Sequence, residues 1–529
     1  MAWSALGDRW AGGPWGEATL LAEDKHVDEL YDAGETGGTP AAAGASAPPS
    51  GPVTGADAGT EAGTGAVARA PASALGMLMG VAGRPLTRAD IRRGIMALAG
   101  PALVEQILVT LMQILNMVMV SRLGAAATAA VGLSNQPIFF ATAGFMALNV
   151  GTTALVARSV GAGEPQRANA AARQALIMTS AVAVCLSAIG AIFARHVLLF
   201  MGAGPDVMAA GRSYFVLSAI ALAFNGLGMC LSAVLRGAGD TVTPMRINVL
   251  ADILVVVVGL PLIYGFFGLP RLGVAGAGVA SIVARLAAAA MALSAVTSGQ
   301  HAIRITLRDG QNLKFDLAPR ILRVGLPAAI EQFILRGGQL QFARVVSSLG
   351  TAIYAAHQIS INLWSLSFVV GFAFAIAATA MVGQSLGARR PDWAERSARE
   401  ASRLSMIVSG VIGFLCMALA PWLIRIYNSD PLIVSQGSIA LRIMAIVQPA
   451  QATAFVLAGA LRGAGDTRWP LYATSVGVWG FRVALAELFV VHLGFGLPGA
   501  WAAMAIDQFV RTLVIMYRFN TGRWKKARV

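Results

Sequence analysis

The sequence predicts an all-α polytopic membrane protein of twelve transmembrane helices, arranged as two parallel-repeat bundles of six. Three observations predict it. Of 529 residues, 56% are apolar and 12% charged, about half the charged share of an ordinary soluble protein, which excludes a soluble enzyme. Twelve apolar segments follow one another, most of them long enough to cross a hydrocarbon core of about 30 Å at about 1.5 Å per residue. The heptapeptide LRGAGDT occurs at 235–241 and again at 461–467, an offset of 226.

In chain order, residues 1–83 form an acidic tail with ten acidic and three basic side chains, a net −7 that leaves +21 for the body. From 34 to 74 the tail is almost entirely Gly, Ala, Pro, Ser and Thr, too poor in apolar surface to offset chain entropy, so it is expected to be disordered. Its first thirty residues lack the basic-then-apolar order of a secretory signal, leaving targeting to the first membrane helix. Met77 and Met79 precede the flank Arg84, Arg88, Arg92 and Arg93. A start at either is a further expectation, rejected by an intact mass that shows Met1 or Ala2.

An N-lobe is expected over 84–297, with spans near 95–120, 129–157, 174–194, 207–235, 244–268 and 274–297. A cytoplasmic linker, 298–320, leads to a C-lobe over 321–520, with spans near 321–346, 354–383, 402–424, 434–461, 470–492 and 499–519, and to a basic tail, 521–529. The loops on the amino-terminal side hold 26 Lys and Arg, whereas the opposite loops hold six: Arg122, Arg195, Arg212, Arg271, Arg344 and Arg425. By the positive-inside rule both termini are cytoplasmic and the chain lies in the plasma (inner) membrane. The net charge of +14 thus reports topology, and the bilayer rather than nucleic acid is the expected partner of what is read as a monomer. Cys185, Cys230 and Cys416 sit in apolar runs without metal-ligand spacing, so no disulfide framework or metal site is expected.

The offset of 226 also aligns Pro101 and Glu105-Gln106 with Pro327 and Glu331-Gln332, and Arg285 with Arg511. A constant offset over nearly 200 residues means a duplication without net gap. Six spans per copy give both copies one orientation, related by an axis along the membrane normal and enclosing a cavity near mid-bilayer. There is no GxxxxGK[ST] phosphate loop, and the glycines Gly273, Gly276 and Gly278 read as close helix packing. No cofactor is expected. Energy is expected from an ion gradient, where a charge crossing 100 mV supplies ~2.3 kcal/mol.

Five carboxylates fall inside spans: Glu105, Asp252, Glu331, Glu487 and Asp507. Such groups are costly in a bilayer unless they bind a proton, a cation or a partner. Glu105 and Glu331 each stand four residues after a Pro on the first helix of a lobe. They read either as ion or cationic-substrate sites or as structural carboxylates paired with an Arg such as Arg336. Asp507 and Arg511, at i and i+4, with Arg482 on the preceding helix, read as a structural ion pair. In LRGAGDT, Arg236 and Arg462 are expected at the carbonyl end of a helix, with Asp240 and Asp466 in the turn, as a structural corner or a gate between lobes. Trp364, Phe368 and Tyr264, with Gln332, are candidate cleft-lining residues, the rings facing cationic drugs.

The paired halves opened by PALVEQIL and PAAIEQFI, the segments VSRLGAAATAAVG and VSSLGTAIYAAHQI, VGQSLGARRPDWA, the doubled LRGAGDT-x-x-P, and the stretch Trp479-x-x-Arg482, Gly499-Ala-Trp501, Asp507-x-x-x-Arg511 resemble the multidrug and toxic compound extrusion (MATE) family, a prokaryotic branch of it. The resemblance covers about residues 90 to 525. It implies two six-helix bundles forming a V-shaped cleft that exports cationic or amphipathic compounds in exchange for Na+ or H+ by alternating access, a carboxylate holding either ion or substrate. It also implies departures: Asn116 stands where many members have Asp, and Val255 and Gly259 where an Asn-x-x-x-Asp pair is usual on the fifth helix. Such a pair occurs seven residues earlier, at Asn248 and Asp252, nearly on the same face but about 10 Å along the axis. Glu105 and Glu331 are therefore the leading coupling candidates, with Asp252 third and Asn248 and Asn116 beside them. The alternatives are a flippase for lipid-linked oligosaccharides or lipids, which calls for a cleft rich in Arg and Lys, and a non-transporting membrane scaffold or enzyme.

Overall fold

The computed structural model describes residues 87–527 apart from 269, 300–302 and 304–316. The acidic tail, Met77 and Met79, and most of the linker fall outside the described residues.

Among the described residues, twelve long helices follow the expected spans in order. They are α1 (Arg88–Ser121), α2 (Ala125–Gly161), α3 (Pro165–Ile192), α4 (Pro205–Gly237), α5 (Val242–Tyr264), α6 (Val274–Thr297), α7 (Leu317–Ser347), α8 (Thr351–Gly387), α9 (Pro391–Arg425) and α10 (Pro431–Ala464), then α11 (Arg468–His492) and α12 (Gly496–Asn520). Ten of them are individually long and apolar enough to cross a membrane. In α7 and α12 the apolar character is diluted by Glu331, Gln332, Gln339, Gln508 and Arg511, all of which face the interior cavity described below. A short helix, Ala194–Phe200, lies where the expected third span ended. Helices also run past the expected spans where polar chemistry can start them. In α1, Asp90 N–H donates to Thr87 Oγ1 at 3.3 Å and Thr87 N–H to Asp90 Oδ2 at 3.1 Å, a reciprocal cap seven residues before the apolar run.

Pro101 interrupts α1. It has no N–H for the carbonyl four residues back, and that carbonyl, of Ala97, accepts instead from Thr241 Oγ1 at 3.4 Å. The last residue of the first LRGAGDT thereby ties the end of α4 to the break in α1.

Within each lobe the second, fourth and sixth helices pack side by side or through one another, while the first helix also crosses to the other lobe: α1 lies on α8 and α7 on α2. The two second helices, α2 and α8, also cross between the lobes, and that crossing is backbone-close. A Cβ on Gly161 of α2 would stand 2.0 Å from the Gln384 carbonyl oxygen of α8, and a Cβ on Gly387 of α8 would stand 2.1 Å from the Arg158 carbonyl oxygen of α2. The two glycines are repeat equivalents, so the contact is reciprocal. Buried Gln384 adds a bond from Nε2 to the Gly237 carbonyl at 3.0 Å, joining α8 to the first LRGAGDT.

At the same Arg-rich end, Trp524 in the short helix Arg523–Lys526 is fully buried. Its ring stacks on Phe519 at 5.0 Å and its Nε1 donates to the Phe519 carbonyl at 2.8 Å. Lys525 Nζ lies 2.5 Å from Glu395 of α9, and Arg158 of α2 donates to the Ala527 carbonyl at 2.7 Å. The segment after α12 thus clasps both lobes. Burial works against ionising Glu395, but Lys525 and Arg399 outweigh it and hold the carboxyl below its ordinary 4.5. A depressed folded value stabilises above the ordinary pKa and loses its contribution as pH falls through the lowered one. Protection of the carboxyl-terminal segment from carboxypeptidase is therefore expected to be full at neutral pH and to decline below pH 4.5, and a Glu395→Gln variant should lose that pH dependence.

Candidate functional site

A cavity of about 480 Å³ lies between the lobes. Its lining ends at Thr153 on α2 and Thr379 on α8. One turn further, Gly383 packs on Ala157, and beyond it Gly161 and Gly387 make the backbone contact that closes the Arg-rich end.

The two duplicated motifs meet on the wall of this cavity. Arg236 of the first LRGAGDT donates from Nη2 to Glu105 Oε1 at 2.5 Å, and Asn248 Nδ2 donates to the same oxygen at 2.7 Å. In the C-lobe, Arg462 Nη2 reaches both oxygens of Glu331 at 2.9 and 2.8 Å, and Thr474 Oγ1 donates to Oε1 at 3.0 Å. Each pair spans 131 residues, and Thr474 stands 226 residues after Asn248. Both acids are buried, yet the clusters differ: Glu105 Oε2 and Arg236 Nε have no hydrogen-bond partner among the described residues, whereas both Glu331 oxygens are satisfied. The partner of Glu331 is Arg462 and not Arg336, which donates to Gln339 Oε1 at 3.2 Å and lies over the Phe139 ring.

A second layer repeats less faithfully. Arg285 and Arg511 are repeat equivalents on α6 and α12, but their acids come from different helices. Arg285 lies 3.3 Å from Asp252 on α5. Asp507, fully buried on α12, is bound by both Nε and Nη2 of Arg482, with the Nε bond at 2.9 Å, and Arg511 Nη1 stands 4.0 Å away. Arg482 projects from wide π-type turns over Val476–Val483, a distortion that recurs at functional sites. On α11, Gly477 admits the cluster, since a Cβ there would stand 2.3 Å from Asp507 Oδ1.

Glu105, Asn248, Asp252, Glu331, Gln332, Trp364, Phe368, Arg236, Arg462, Arg482 and Arg511 all line the cavity. Two of the expected coupling or cleft-lining residues do not. Asn116 is eleven residues beyond Glu105 on α1, about 16 Å along the axis, and lies outside the lining. Tyr264 is also outside it; its hydroxyl donates to the Met119 carbonyl at 2.7 Å and fastens the end of α5 to α1. Asp240 caps the start of α5 by accepting from the Val242 and Thr243 N–H groups at 3.0 Å. Asp466 instead pairs with Arg518 at 2.7 Å, so the repeated turn has two different partners. Thr474 and Gln508 are lining residues the sequence reading missed. Thr474 was accessible through its register with Asn248.

Long apolar helices that leave a few charged side chains facing a cavity between two repeated lobes define a membrane transporter. The MatE family model matches residues 101–264 and 327–488, once per lobe with starts 226 residues apart, and the chain belongs to that family. It is 30% identical over 442 residues to the probable multidrug resistance protein NorM of Thermotoga maritima, covering 83% of this chain and 94% of that one. It is 28% identical over 436 residues to the multidrug resistance protein PmpM of Pseudomonas aeruginosa, 79% and 89% covered. Among solved structures it is similar to a multidrug resistance MATE family transporter in an outward-facing conformation, with TM-score 0.76 at 23% identity over 82% of this chain and 97% of that one. A MOP superfamily transporter from Pyrococcus furiosus gives TM-score 0.77 at 22% identity, 83% and 97% covered.

Proposed function

We propose that the chain is a secondary active exporter that moves amphipathic compounds out of the cytosol by alternating access, driven by H+ or Na+. The observation that carries this reading is the doubled acid–guanidinium pair, Glu105 with Arg236 and Glu331 with Arg462, on the wall of one inter-lobe cavity. Each carboxylate is already matched by a guanidinium, so a coupling ion contends with an Arg for it. A proton or Na+ on Glu331 frees Arg462, and that freed charge biases the lobes toward their other arrangement. With the Arg-rich loops facing the cytoplasm, the contact of Gly161 and Gly387 closes the cytosolic side, and its separation is the opening half of the cycle. The protein acts as a monomer in the inner membrane, and its termini are cytoplasmic.

Inverted vesicles loaded with the protein, given an imposed pH gradient or an imposed Na+ gradient, are expected to take up a fluorescent amphipathic dye under one gradient and not the other. Uptake indifferent to both overturns ion coupling. Five arginines line the cavity, the feature a flippase for pyrophosphate-linked sugars calls for, but four of them sit within 3.3 Å of a carboxylate oxygen, which leaves no cradle for a doubly charged headgroup.

A further inference from the structure

The two lobes do not carry the same charge into the cavity. In the N-lobe two acids, Glu105 and Asp252, answer two guanidiniums, Arg236 and Arg285. In the C-lobe two acids, Glu331 and Asp507, face three, Arg462, Arg482 and Arg511. Glu331 gives both oxygens to Arg462, and Asp507 gives one oxygen twice to Arg482. Arg511 shares Asp507 at ion-pair distance without a hydrogen bond, and leaves the wall one guanidinium in excess of its acids. It is 8% exposed, its Nη1 stays 4.0 Å from Asp507, and its buried Nε meets no acceptor among the described residues. Beside it Gln508 lines the same wall, with Oε1 buried and without a donor. An uncompensated buried guanidinium is expensive in a bilayer and is retained where it has a partner to meet.

The C-lobe wall also carries an aromatic surface: Trp364, Phe368, Phe372 and Phe455 line it, with Trp364 edge-on to Phe368 at 4.4 Å and Phe368 edge-on to Phe455 at 5.5 Å. Trp364 Nε1 is committed to Gln451 at 3.2 Å, so this surface offers rings rather than polar groups.

We propose that the C-lobe wall binds an amphipathic monoanion, its carboxylate, sulfonate or phosphate diester on Arg511 and Arg482 and its apolar body on the Phe368, Phe372 and Phe455 rings. The planar guanidinium forks match such oxyanions in pairs. The site rests on the transport reading for its setting and deepens it by naming the cargo class. Cargo and coupling ion then occupy different groups, since the ion acts on the Glu331–Arg462 pair while the anion takes Arg511, and coupling runs through the lobe equilibrium rather than through competition of ion and cargo for one carboxylate.

The test is equilibrium binding to the full-length protein in phosphatidylcholine nanodiscs, with dansylglycine as the fluorescent amphipathic monoanion and tetraphenylphosphonium as the monocation. Wild type is expected to bind dansylglycine about tenfold or more tighter than tetraphenylphosphonium, as one charge-assisted contact supplies. Arg511→Gln should weaken dansylglycine by about tenfold and leave tetraphenylphosphonium unchanged or tighter, while Arg511→Lys should retain most of the anion affinity. Replacing half of the phosphatidylcholine by phosphatidylglycerol separates two sources of the anion. Displacement of dansylglycine that depends on Arg511 identifies a lipid headgroup, and no displacement identifies a free amphipathic anion; both support the site. Preference of the wild type for tetraphenylphosphonium, binding of neither probe, or a folded Arg511→Gln that binds dansylglycine within twofold of wild type overturns it. Anion binding without gradient-driven uptake leaves the site standing and removes the transport reading, and uptake of cations alone does the reverse.

Discussion

Glu331→Gln is expected to abolish ion-driven efflux and to cost about 3–5 kcal/mol of stability, the penalty for leaving a buried partner charge unmatched. Arg462 makes both of its Nη2 bonds to this carboxylate, and its side chain is only 20% exposed. The double variant Glu331→Gln with Arg462→Gln removes both charges and should regain most of the stability without regaining efflux. Glu105→Gln should be milder in stability, because Arg236 holds that acid through one oxygen and Glu105 Oε2 is already without a partner. Thermal unfolding in detergent measures the first quantity and dye efflux from vesicles the second. Unchanged efflux in both single variants, with both proteins present in the membrane, removes Glu105 and Glu331 from the coupling machinery.

The second large effect is expected at the reciprocal glycines. Gly387→Val places atoms on a Cβ that would already stand 2.1 Å from the Arg158 carbonyl oxygen. Backbone has no rotamer with which to yield, and small residues at such crossings are what let two helices touch. The buried clusters that α1 shares with α8, α9 and α10, and α7 with α2, α3 and α4, are left intact, so the variant is expected to remain folded while α2 and α8 part at the Arg-rich end. A cysteine placed at Gln332 in the cavity, in a variant lacking Cys185, Cys230 and Cys416, should then react at least about fivefold faster with a maleimide supplied on that side, a bias of about 1 kcal/mol or more. Gly161→Val should do the same by the symmetry of the contact. Labelling at the parental rate in both variants means that this contact does not hold the end closed.

Much of the fold was legible in the sequence because a bilayer leaves the backbone few options. Apolar length announced the helices, and one constant offset announced their grouping. What escaped was side-chain pairing. Glu105 and Arg236 lie 131 residues apart, and neither apolar patterning nor composition says that the break at Pro101 brings them together. The information was nonetheless present in the doubled spacing, since Glu331 and Arg462 repeat the same interval, and two copies of one interval between opposite charges mark a contact. The resemblance made Asn116 a coupling candidate and its ring made Tyr264 a cleft-lining one, and the helix axis corrects both: each is near the end of its helix away from LRGAGDT, too far along to share a cavity with Glu105. Asp507 takes its hydrogen bonds from Arg482 rather than from Arg511, and Arg482 stands in π-type turns that no periodicity reveals.

The clasp formed by the segment after α12 sets an order on biosynthesis. Arg158 and Glu395 emerge from the ribosome long before Lys525 and Ala527 do, so the Arg-rich end cannot acquire these cross-lobe contacts until both lobes have been made. A growing chain therefore passes through the membrane-inserted stage with the α2–α8 contact, and not the clasp, available to join its lobes at that end. The same geometry bears on handling the protein: an affinity tag or fluorescent fusion joined close behind Ala527 sits where Arg158 docks, and a tag at the other end of the chain avoids that junction.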